Sequence, residues 1–329
     1  MLKEKIKILS GSDFTDPQKL IDDIDLDLSQ YAYDQYRFYP SKNKESWEKY
    51  FITRFHHLLT NDEWMFFNQK GIKTPYLIGC RISKWDYEHF NIKMANIAVL
   101  SSDNNGDSEK TISNILDNCI DKLKSENIEF ISTRICGSNI SAIHAIESKG
   151  FKYFENIIWP VTLCLDVKLE DNSCVRLMND KDMETALKIA RGNTYQSSHF
   201  HCDKRFDKDK VNLMHVKWLE SAWKANKSIA IIEYNNKVAG YFVFEIDSDL
   251  SQAMGYKYGR MQSMALDSNF RGKGLGTKLF SGTISLMKDM GAEYIDSGYS
   301  SKNHISAKLH TKYDFYSVYE ETTFHLWLQ

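Results

Sequence analysis

The sequence predicts an α+β fold (mixed α/β), in which a mostly antiparallel mixed β-sheet is flanked by helices, and it predicts this fold twice. Three observations support the prediction. Strand-like and helix-like segments alternate along the chain, one segment recurs at a fixed offset, and a glycine-rich turn joins a strand to a helix. The length of 329 residues is enough for two ordinary domains.

The composition is that of an ordinary globular chain. It is 42% hydrophobic and 26% charged, with a net charge of -2 and with Lys and Arg spread along the sequence. We therefore expect no nucleic-acid partner. No stretch approaches roughly 18 consecutive apolar residues, and the N-terminus lacks the apolar run of a signal peptide, so we expect no membrane partner and a cytoplasmic location. The six cysteines form no C-x-x-C pair, which predicts reduced and mostly buried thiols.

A repeat divides the chain. Residues 129–151, EFISTRICGSNISAIHAIESKGF, align without a gap with residues 293–315, EYIDSGYSSKNHISAKLHTKYDF, at an offset of 164. An amphipathic helix precedes each copy, and a β-rich tail follows it. We infer a duplication into domains 1–168 and 172–329, with a polar join near residues 166–174. Residues 1–75 have no evident role.

The second half has a readable order of elements. Strands are predicted at 174–179, 228–234, 238–246, 258–266 and 293–298. Helices are predicted at 181–191, at 205–225, from the glycine-rich turn to near Gly291, and at 303–313. Two final strands are predicted after the last helix. Asn235, Asn236 and Lys237 form the predicted turn of a hairpin. Asn303 is the predicted N-cap of the last helix.

The glycine-rich turn, residues 271–276, reads Arg-Gly-Lys-Gly-Leu-Gly and lies between a strand and a helix. The first amides of a helix lack partners within it, and the helix dipole adds about half a positive charge there. Glycines let the backbone approach a phosphate closely, and Arg271 and Lys273 add positive charge. The turn therefore predicts an anion site, although its spacing fits neither the P-loop nor G-x-G-x-x-G. A plain tight turn with a basic rim is the alternative.

The R-x-x-G-x-G pattern in this turn resembles the acetyl-CoA loop of the GNAT superfamily of N-acetyltransferases. The resemblance implies a tandem GNAT fold and acetyl-CoA as the co-substrate, with the loop amides holding the CoA pyrophosphate. The cofactor contacts that it implies come from the strand, the loop and the two helices that follow: Met264, Ala265, Leu266, Arg271, Gly272, Lys273, Gly274, Leu275, Gly276, Thr277 and Asn303. Asp314 stands where the family usually has Gly, and Asp also visits left-handed conformations.

The first half lacks this loop. At the corresponding place it reads SSDNNGDSEK, residues 101–110. Asp103 and Asp107 would repel a pyrophosphate, and only one glycine is present. We therefore predict a degenerate first half that does not bind CoA.

Two segments, 83–97 and 195–207, resemble the TDP-fucosamine acetyltransferase type. This resemblance implies a small-molecule amine acceptor, preferably the amine of a nucleotide-linked amino sugar. It also implies that His199, His201 and Asp203 line the acceptor pocket. A packed or surface role for these three residues is the alternative, and we expect no metal because no further ligand pair accompanies the H-x-H spacing. An aminoglycoside, a polyamine or a peptide amine as acceptor stays open, as does a non-catalytic acyl-CoA-binding module.

The reaction that the resemblance implies is the attack of a neutral amine on the acetyl thioester. Backbone amides near residues 264–266 are candidate donors to the oxyanion, and a side-chain base is unnecessary if a water chain or a depressed amine pKa suffices. The family often has a Tyr seven residues after the Asn, whereas position 310 is His here. A neutral imidazole has one N–H to donate, and an imidazolium is a better acid near its usual pKa of about 6.5. We predict that His310 protonates the CoA thiolate, with Tyr313 in reserve and plain packing of His310 as the alternative.

Overall fold

The computed structural model of the chain describes residues 6–10, 34–59, 63–69, 76–102, 108–170, 173–192 and 198–328. The chain divides into two compact units. The N-terminal unit comprises Met1–Tyr39, Lys44–Asn156 and Glu320–Gln329. The C-terminal unit comprises Pro40–Asn43 and Ile157–Tyr319.

The N-terminal unit contains a sheet in the order β1-β2-β3-β4-β5-β13. Its strands are β1 (Ile6–Ser10), β2 (Trp64–Gln69), β3 (Leu77–Ile82), β4 (Met94–Ser101), β5 (Phe130–Cys136) and the end of β13 (Tyr316–Trp327). Its helices are α1 (Ser46–Leu59), α2 (Lys84–Phe90), α3 (Ser108–Ser125) and α4 (Ile140–Ser148). Neighbouring strands are antiparallel except β4 and β5, which are parallel. Apolar side chains of α3 and α4 form one core with the sheet, including Ile115, Ile131 and Ile146.

The C-terminal unit contains a sheet in the order β6-β11-β10-β9-β8-β7, with β12 also paired to β6. Its strands are β6 (Lys152–Leu163, from residue 157), β7 (Val175–Leu177), β8 (Ser228–Tyr234), β9 (Lys237–Asp247), β10 (Tyr258–Leu266), β11 (Tyr294–Ser297) and β12 (Tyr299–Ser300). Its helices are α5 (Met183–Arg191), α6 (His199–Cys202), α7 (Lys208–Lys224), α8 (Ser248–Met254), α9 (Leu275–Asp289) and α10 (His304–Lys312). Only β10 and β11 are parallel neighbours among the strand pairs described here.

Both faces of this second sheet are covered. Phe242 and Phe244 of β9 belong to one core with α9, whereas Tyr241 and Val243 belong to another with α5 and α7. This division follows from the two-residue period of a strand, which sends successive side chains to opposite faces. The predicted mixed sheet flanked by helices is thus confirmed, and helix α9 has a fixed place on one face of it.

The two copies of the repeat have the same local structure. Strands β4 and β10 begin at Met94 and Tyr258, which are separated by the offset found in the sequence. Asn139 caps α4 by accepting from the amide of Ala142 at 3.2 Å. Asn303 caps α10 by accepting from the amide of Ser306 at 3.0 Å, so its predicted N-cap role is confirmed.

The compact units differ from the predicted domains 1–168 and 172–329 at two strands. The last part of β13, residues 321–327, is antiparallel to β5 and belongs to the N-terminal unit. Residues 161–163 of β6 are antiparallel to β11 and belong to the C-terminal unit. Backbone pairing, which the order of the chain does not reveal, decides these assignments. Residues 171–172, in the predicted join, lie outside the described residues.

Most predicted elements of the second half are present, and β8 and β10 have the predicted bounds. The prediction of two final strands is wrong, because residues 316–327 form the single strand β13. Helix α8 was not predicted, although its boundaries have local signals. Asp247 caps it by accepting from the amide of Leu250 at 2.9 Å, and Gly255 ends it with a φ of 76°.

The cysteines are reduced, as predicted. Four of them are buried and two are partly exposed: Cys80, Cys119, Cys136, Cys164, Cys174 and Cys202. Burial raises the pKa of Cys164 to about 11, so its thiol stays protonated at neutral pH. Across the described ranges, no helix combines the length and the apolar character that crossing a bilayer requires.

Candidate functional site

A cleft opens where two parallel strands of the C-terminal unit separate. Residues 258–261 of β10 pair with residues 294–297 of β11. Beyond this point β10 continues along β9. After β11 the backbone passes through Gly298 into β12, which pairs with β6. A β-bulge at Gln262 marks the place where the strands part. Bulges bend and twist a strand, which suits this position.

The edge of β10 that faces the cleft carries unpaired backbone donors. The amide of Asp267 donates to the carbonyl of Ala239 at 2.9 Å and continues the ladder with β9. Because successive backbone groups alternate in direction, the amides of Met264 and Leu266 point away from β9 and toward the cleft, whereas that of Ala265 points toward β9. No described strand pairs with this edge of β10 beyond Met261. The cleft therefore has two N–H donors on one side.

The glycine-rich turn lies directly after this strand. Gly272 and Gly274 have φ values of 76° and 74°, the left-handed region in which a side chain is strained. A Cβ atom at either glycine would meet nothing within 4 Å, so the space over the turn is open. Gly274 is the N-cap of α9 and provides no side-chain cap. The amides of residues 275–277 open the helix toward this space, which suits an anion.

Gly276, in the same turn, permits close packing of the helix on the strand. A Cβ atom here would lie 3.3 Å from Cδ1 of Leu266 and 3.6 Å from Cε of Met264. The absence of a side chain therefore lets the first turn of α9 pack closely on the end of β10. This packing brings the amides of the turn next to the donors of the cleft.

Positive charge accompanies the turn. Arg271 and Lys273 are both exposed. The ammonium of Lys273 lies 4.8 Å from the ring centroid of Tyr234 and 5.9 Å from that of Phe270, so it is held beside the turn by cation–π contacts. The exposed cations and the helix amides together have the chemistry that suits a phosphate group.

His310 is buried, with 3% of its surface exposed. Its Nδ1 lies 2.7 Å from the backbone oxygen of Ser306. That oxygen can only accept, so Nδ1 carries the proton, and Nε2 is buried without a hydrogen-bond partner. Burial lowers the pKa of His310 to about 4. The imidazolium form is therefore disfavoured near pH 6.5, and the one N–H of the neutral ring donates to Ser306.

Aromatic rings surround this imidazole. Phe280 and Phe315 meet it edge to face, with ring centroids at 5.1 and 5.0 Å. Tyr299 stacks on it, with centroids 4.6 Å apart and an interplanar angle of 29°. These contacts explain the desolvation that lowers its pKa.

Tyr313, the second candidate acid, is held in place by contacts within the fold. It is 1% exposed, and its hydroxyl donates to the backbone oxygen of Thr277 at 3.2 Å. Its ring stacks on that of Phe280, with centroids 5.4 Å apart. The side chain joins the end of α10 to the first turn of α9, and its hydroxyl is occupied.

The three predicted acceptor residues lie together in and just after α6, and each contacts a neighbouring side chain. His201 lies between the Ser198 hydroxyl and the Asn212 side-chain oxygen, at 2.7 and 3.2 Å. Asp203, which is 3% exposed, binds Arg205 through both of its carboxylate oxygens. His199 is partly exposed beside a Phe ring.

Helix α6 nevertheless lies near the cleft. The Sγ atom of Cys202 is 3.8 Å from the ammonium of Lys302, which directly precedes Asn303. Within the described residues, no three His, Cys, Asp or Glu side chains gather as a metal site would require.

The N-terminal unit closes the equivalent position. There β4 and β5 also pair in parallel, over residues 94–97 and 130–133. The side-chain amide of Asn139 donates to the Ser102 hydroxyl at 2.9 Å, and both residues are buried. Ser102 corresponds to Leu266 and Asn139 to Asn303, and the described structure has no such link in the C-terminal unit. The predicted acidic residues Asp103 and Asp107 lie outside the described residues.

Residues 194–315, a little over a third of the chain, match the model of the Acetyltransferase (GNAT) family. The fold is that of the GNAT acetyltransferases. A GCN5-related N-acetyltransferase from Sphaerobacter thermophilus has a TM-score of 0.65 and 10% identity, over 99% of this chain and 97% of that one. A tandem GNAT protein from the clavulanic acid biosynthesis pathway has a TM-score of 0.59 and 8% identity, over 98% of each chain. These two structures show the GNAT fold alone.

A curated relative matches part of the chain. L-amino acid N-acyltransferase MnaT of Escherichia coli (strain K12) is 30% identical over 100 residues. The match covers 30% of this chain and 56% of that protein, so the chain spans little more than half the length of the relative.

Two features of the cleft have weak signals in the sequence. The sequence does not predict the contact between Tyr299 and His310, because these two residues meet only once the chain has folded. Gly298 was the available signal, since a glycine inside a strand pattern often marks a close approach. A Cβ atom there would lie 2.9 Å from the Trp159 ring. The bulge at Gln262 interrupts an apolar run but has no turn residue beside it.

Proposed function

We propose that the C-terminal unit transfers an acetyl group from acetyl-CoA to the primary amine of a small molecule. The observation that supports this most directly is an open anion site, residues 272–277, beside a cleft with two backbone donors. The CoA pyrophosphate would accept from the amides of the turn. The thioester carbonyl would lie between the separated strands, within reach of the amides of Met264 and Leu266.

The chemistry follows from these donors. The amine attacks the carbonyl carbon, and the two amides stabilise the developing oxyanion. Donors of this kind are fixed before the reaction begins, and the loss of one typically lowers kcat by about 100- to 1,000-fold. The tetrahedral intermediate then expels the CoA thiolate, which takes up a proton. Asn303 would contact the CoA arm from the start of α10, in addition to capping that helix.

The N-terminal unit takes no part in binding acetyl-CoA in this proposal. The hydrogen bond between Asn139 and Ser102 occupies the place where its strands would open, and the sequence there has no R-x-x-G-x-G loop. It is a degenerate copy of the catalytic unit.

Two acceptor classes are candidates. The resemblance of segments 83–97 and 195–207 favours a nucleotide-linked amino sugar, with His199 and His201 as the partly exposed residues of the predicted trio. The relative that acylates L-amino acids favours an α-amino group. We prefer a nucleotide-linked amino sugar, because the position of α6 beside Lys302 places the resembling segment near the cleft.

The test is a turnover assay with the whole chain. Acetyl-CoA would be incubated with dTDP-4-amino-4,6-dideoxygalactose, with L-amino acids, or with polyamines and aminoglycosides. Thiol release and the mass of the product would be followed. We expect acetylation of the sugar amine. Acetylation of an amino acid alone would move the acceptor to the second class, and binding of acetyl-CoA without turnover of any amine would support an acyl-CoA-binding module.

A further inference from the structure

We propose that Tyr299 is the general acid that protonates the departing CoA thiolate. This proposal rests on the proposed acetyl transfer and names a residue for its last step. Tyr299 belongs to β12, on the side of the cleft opposite to the oxyanion donors of β10.

Neither of the residues predicted for this role can supply a proton as the side chains are arranged. His310 is neutral, and its only N–H is donated to Ser306. Tyr313 donates its hydroxyl hydrogen to Thr277. A thiolate in the cleft therefore needs another donor or solvent.

Tyr299 has the required position. It follows Ser297, the last residue of β11 that pairs with β10, by two residues. Its ring stacks on the imidazole of His310, the position at which relatives carry a tyrosine in the resemblance. His310 in turn contacts Phe280 of α9, so Tyr299 lies on the face of the sheet that carries the glycine-rich turn.

Tyr299 also has a suitable hydroxyl. The side chain is partly exposed, and no hydrogen bond of its Oη atom is found within the described part of the chain. Burial raises the pKa of this phenol above its usual value of about 10, so the hydroxyl keeps its proton at neutral pH. A neutral phenol can donate to sulfur as soon as negative charge develops there.

The step balances without another reagent. The amine lone pair forms the N–C bond, and the electron pair of the C–S bond leaves with sulfur. Sulfur takes the proton of Tyr299 Oη and becomes the CoA thiol. The nitrogen loses one proton to solvent, and the phenolate regains one from solvent, so the enzyme returns to its starting state.

The experiment compares Tyr299→Phe with the wild-type chain, using acetyl-CoA and the best amine of the turnover assay. Phe keeps the ring on His310 and removes only the hydroxyl. We expect kcat to fall by about 100-fold, the low end for general acids because a thiol leaves readily. The Kd for acetyl-CoA should stay within twofold. Tyr316→Phe, at an exposed tyrosine of the same unit, is the matched control and should leave both values unchanged.

Four results would overturn the proposal. One is an unchanged kcat in Tyr299→Phe when the wild type is active; this leaves the acetyl transfer itself intact. Another is an equal loss of acetyl-CoA affinity and kcat, which indicates a packing role. If Tyr299→Phe does not fold, single-turnover rates of the wild type in H2O and D2O decide, since equal rates exclude proton donation in the step. A wild type that acetylates no amine overturns both proposals.

Discussion

Gly274→Glu tests whether the glycine-rich turn holds the CoA pyrophosphate. The substitution adds a carboxylate at the N-cap of α9, where the open space over the turn accommodates the new side chain without a clash. The fold should therefore survive. The added negative charge lies where the proposal puts the phosphates.

The magnitude has two parts. Gly274 has a φ of 74°, and a residue with a side chain costs roughly 1–2 kcal/mol in that region. That cost is present with and without ligand, so it lowers stability rather than affinity. The charge acts on binding: two unit charges about 6 Å apart repel by roughly 0.7 kcal/mol in bulk water and by roughly 3 kcal/mol at an effective dielectric constant of 20. We expect acetyl-CoA affinity to fall more than tenfold, which corresponds to about 1.4 kcal/mol or more.

The assay is calorimetric titration of the whole chain with acetyl-CoA. Gly274→Ala introduces the backbone strain without the charge and should bind at least several-fold more tightly than Gly274→Glu. Gly150→Ala introduces strain at a φ of 86° in the N-terminal unit and should bind like the wild type. A Kd for Gly274→Glu that equals that of Gly274→Ala would refute the placement of the pyrophosphate, provided that thermal melts show both chains folded.

Three further results are expected. The same titration should give one acetyl-CoA per chain, and a second site of similar affinity would contradict a degenerate N-terminal unit. Between pH 6.5 and 4 the histidine at position 310 is protonated in the unfolded chain but not in the folded one, so the free energy of unfolding should decrease as the pH is lowered, by up to about 1.4 kcal/mol per pH unit from this group. Urea denaturation of His310→Phe should show a flatter pH dependence. An unchanged slope would contradict the burial of His310. Each half expressed separately, as residues 1–168 or 172–329, should unfold less cooperatively than the whole chain, because each half lacks a strand of its compact unit. A sharp unfolding transition in both halves would argue against this loss of cooperativity.

The parts of the fold that sequence predicted have local causes. The turn at residues 271–276 was recognisable because positive φ values and open helix amides are properties of a few adjacent residues. The N-cap at Asn303 and the ends of β8 and β10 are equally local. Sequence also found the repeat, since both copies keep the same residues in the same order.

The remainder depends on residues distant in the chain. The protonation state of His310 could not be predicted, because Phe280 and Tyr299 desolvate it only after α9, α10 and β12 have come together. Asp203 was predicted to line a pocket, but its binding of Arg205 and its burial reflect packing that composition does not reveal. The compact units differ from the predicted domain limits for the same reason, since the sequence does not show which strands pair.

The pairing of β13 with β5 has a consequence for how the protein is made. Residues 321–327 are translated about 180 residues after β5, the strand with which they pair. At roughly 5–20 residues per second, one edge of β5 stays open on the ribosome for on the order of ten to forty seconds. Open strand edges template aggregation, so the nascent N-terminal unit exposes an aggregation-prone edge until β13 has been synthesised. A nonsense mutation just before residue 320 would for this reason damage the N-terminal unit first.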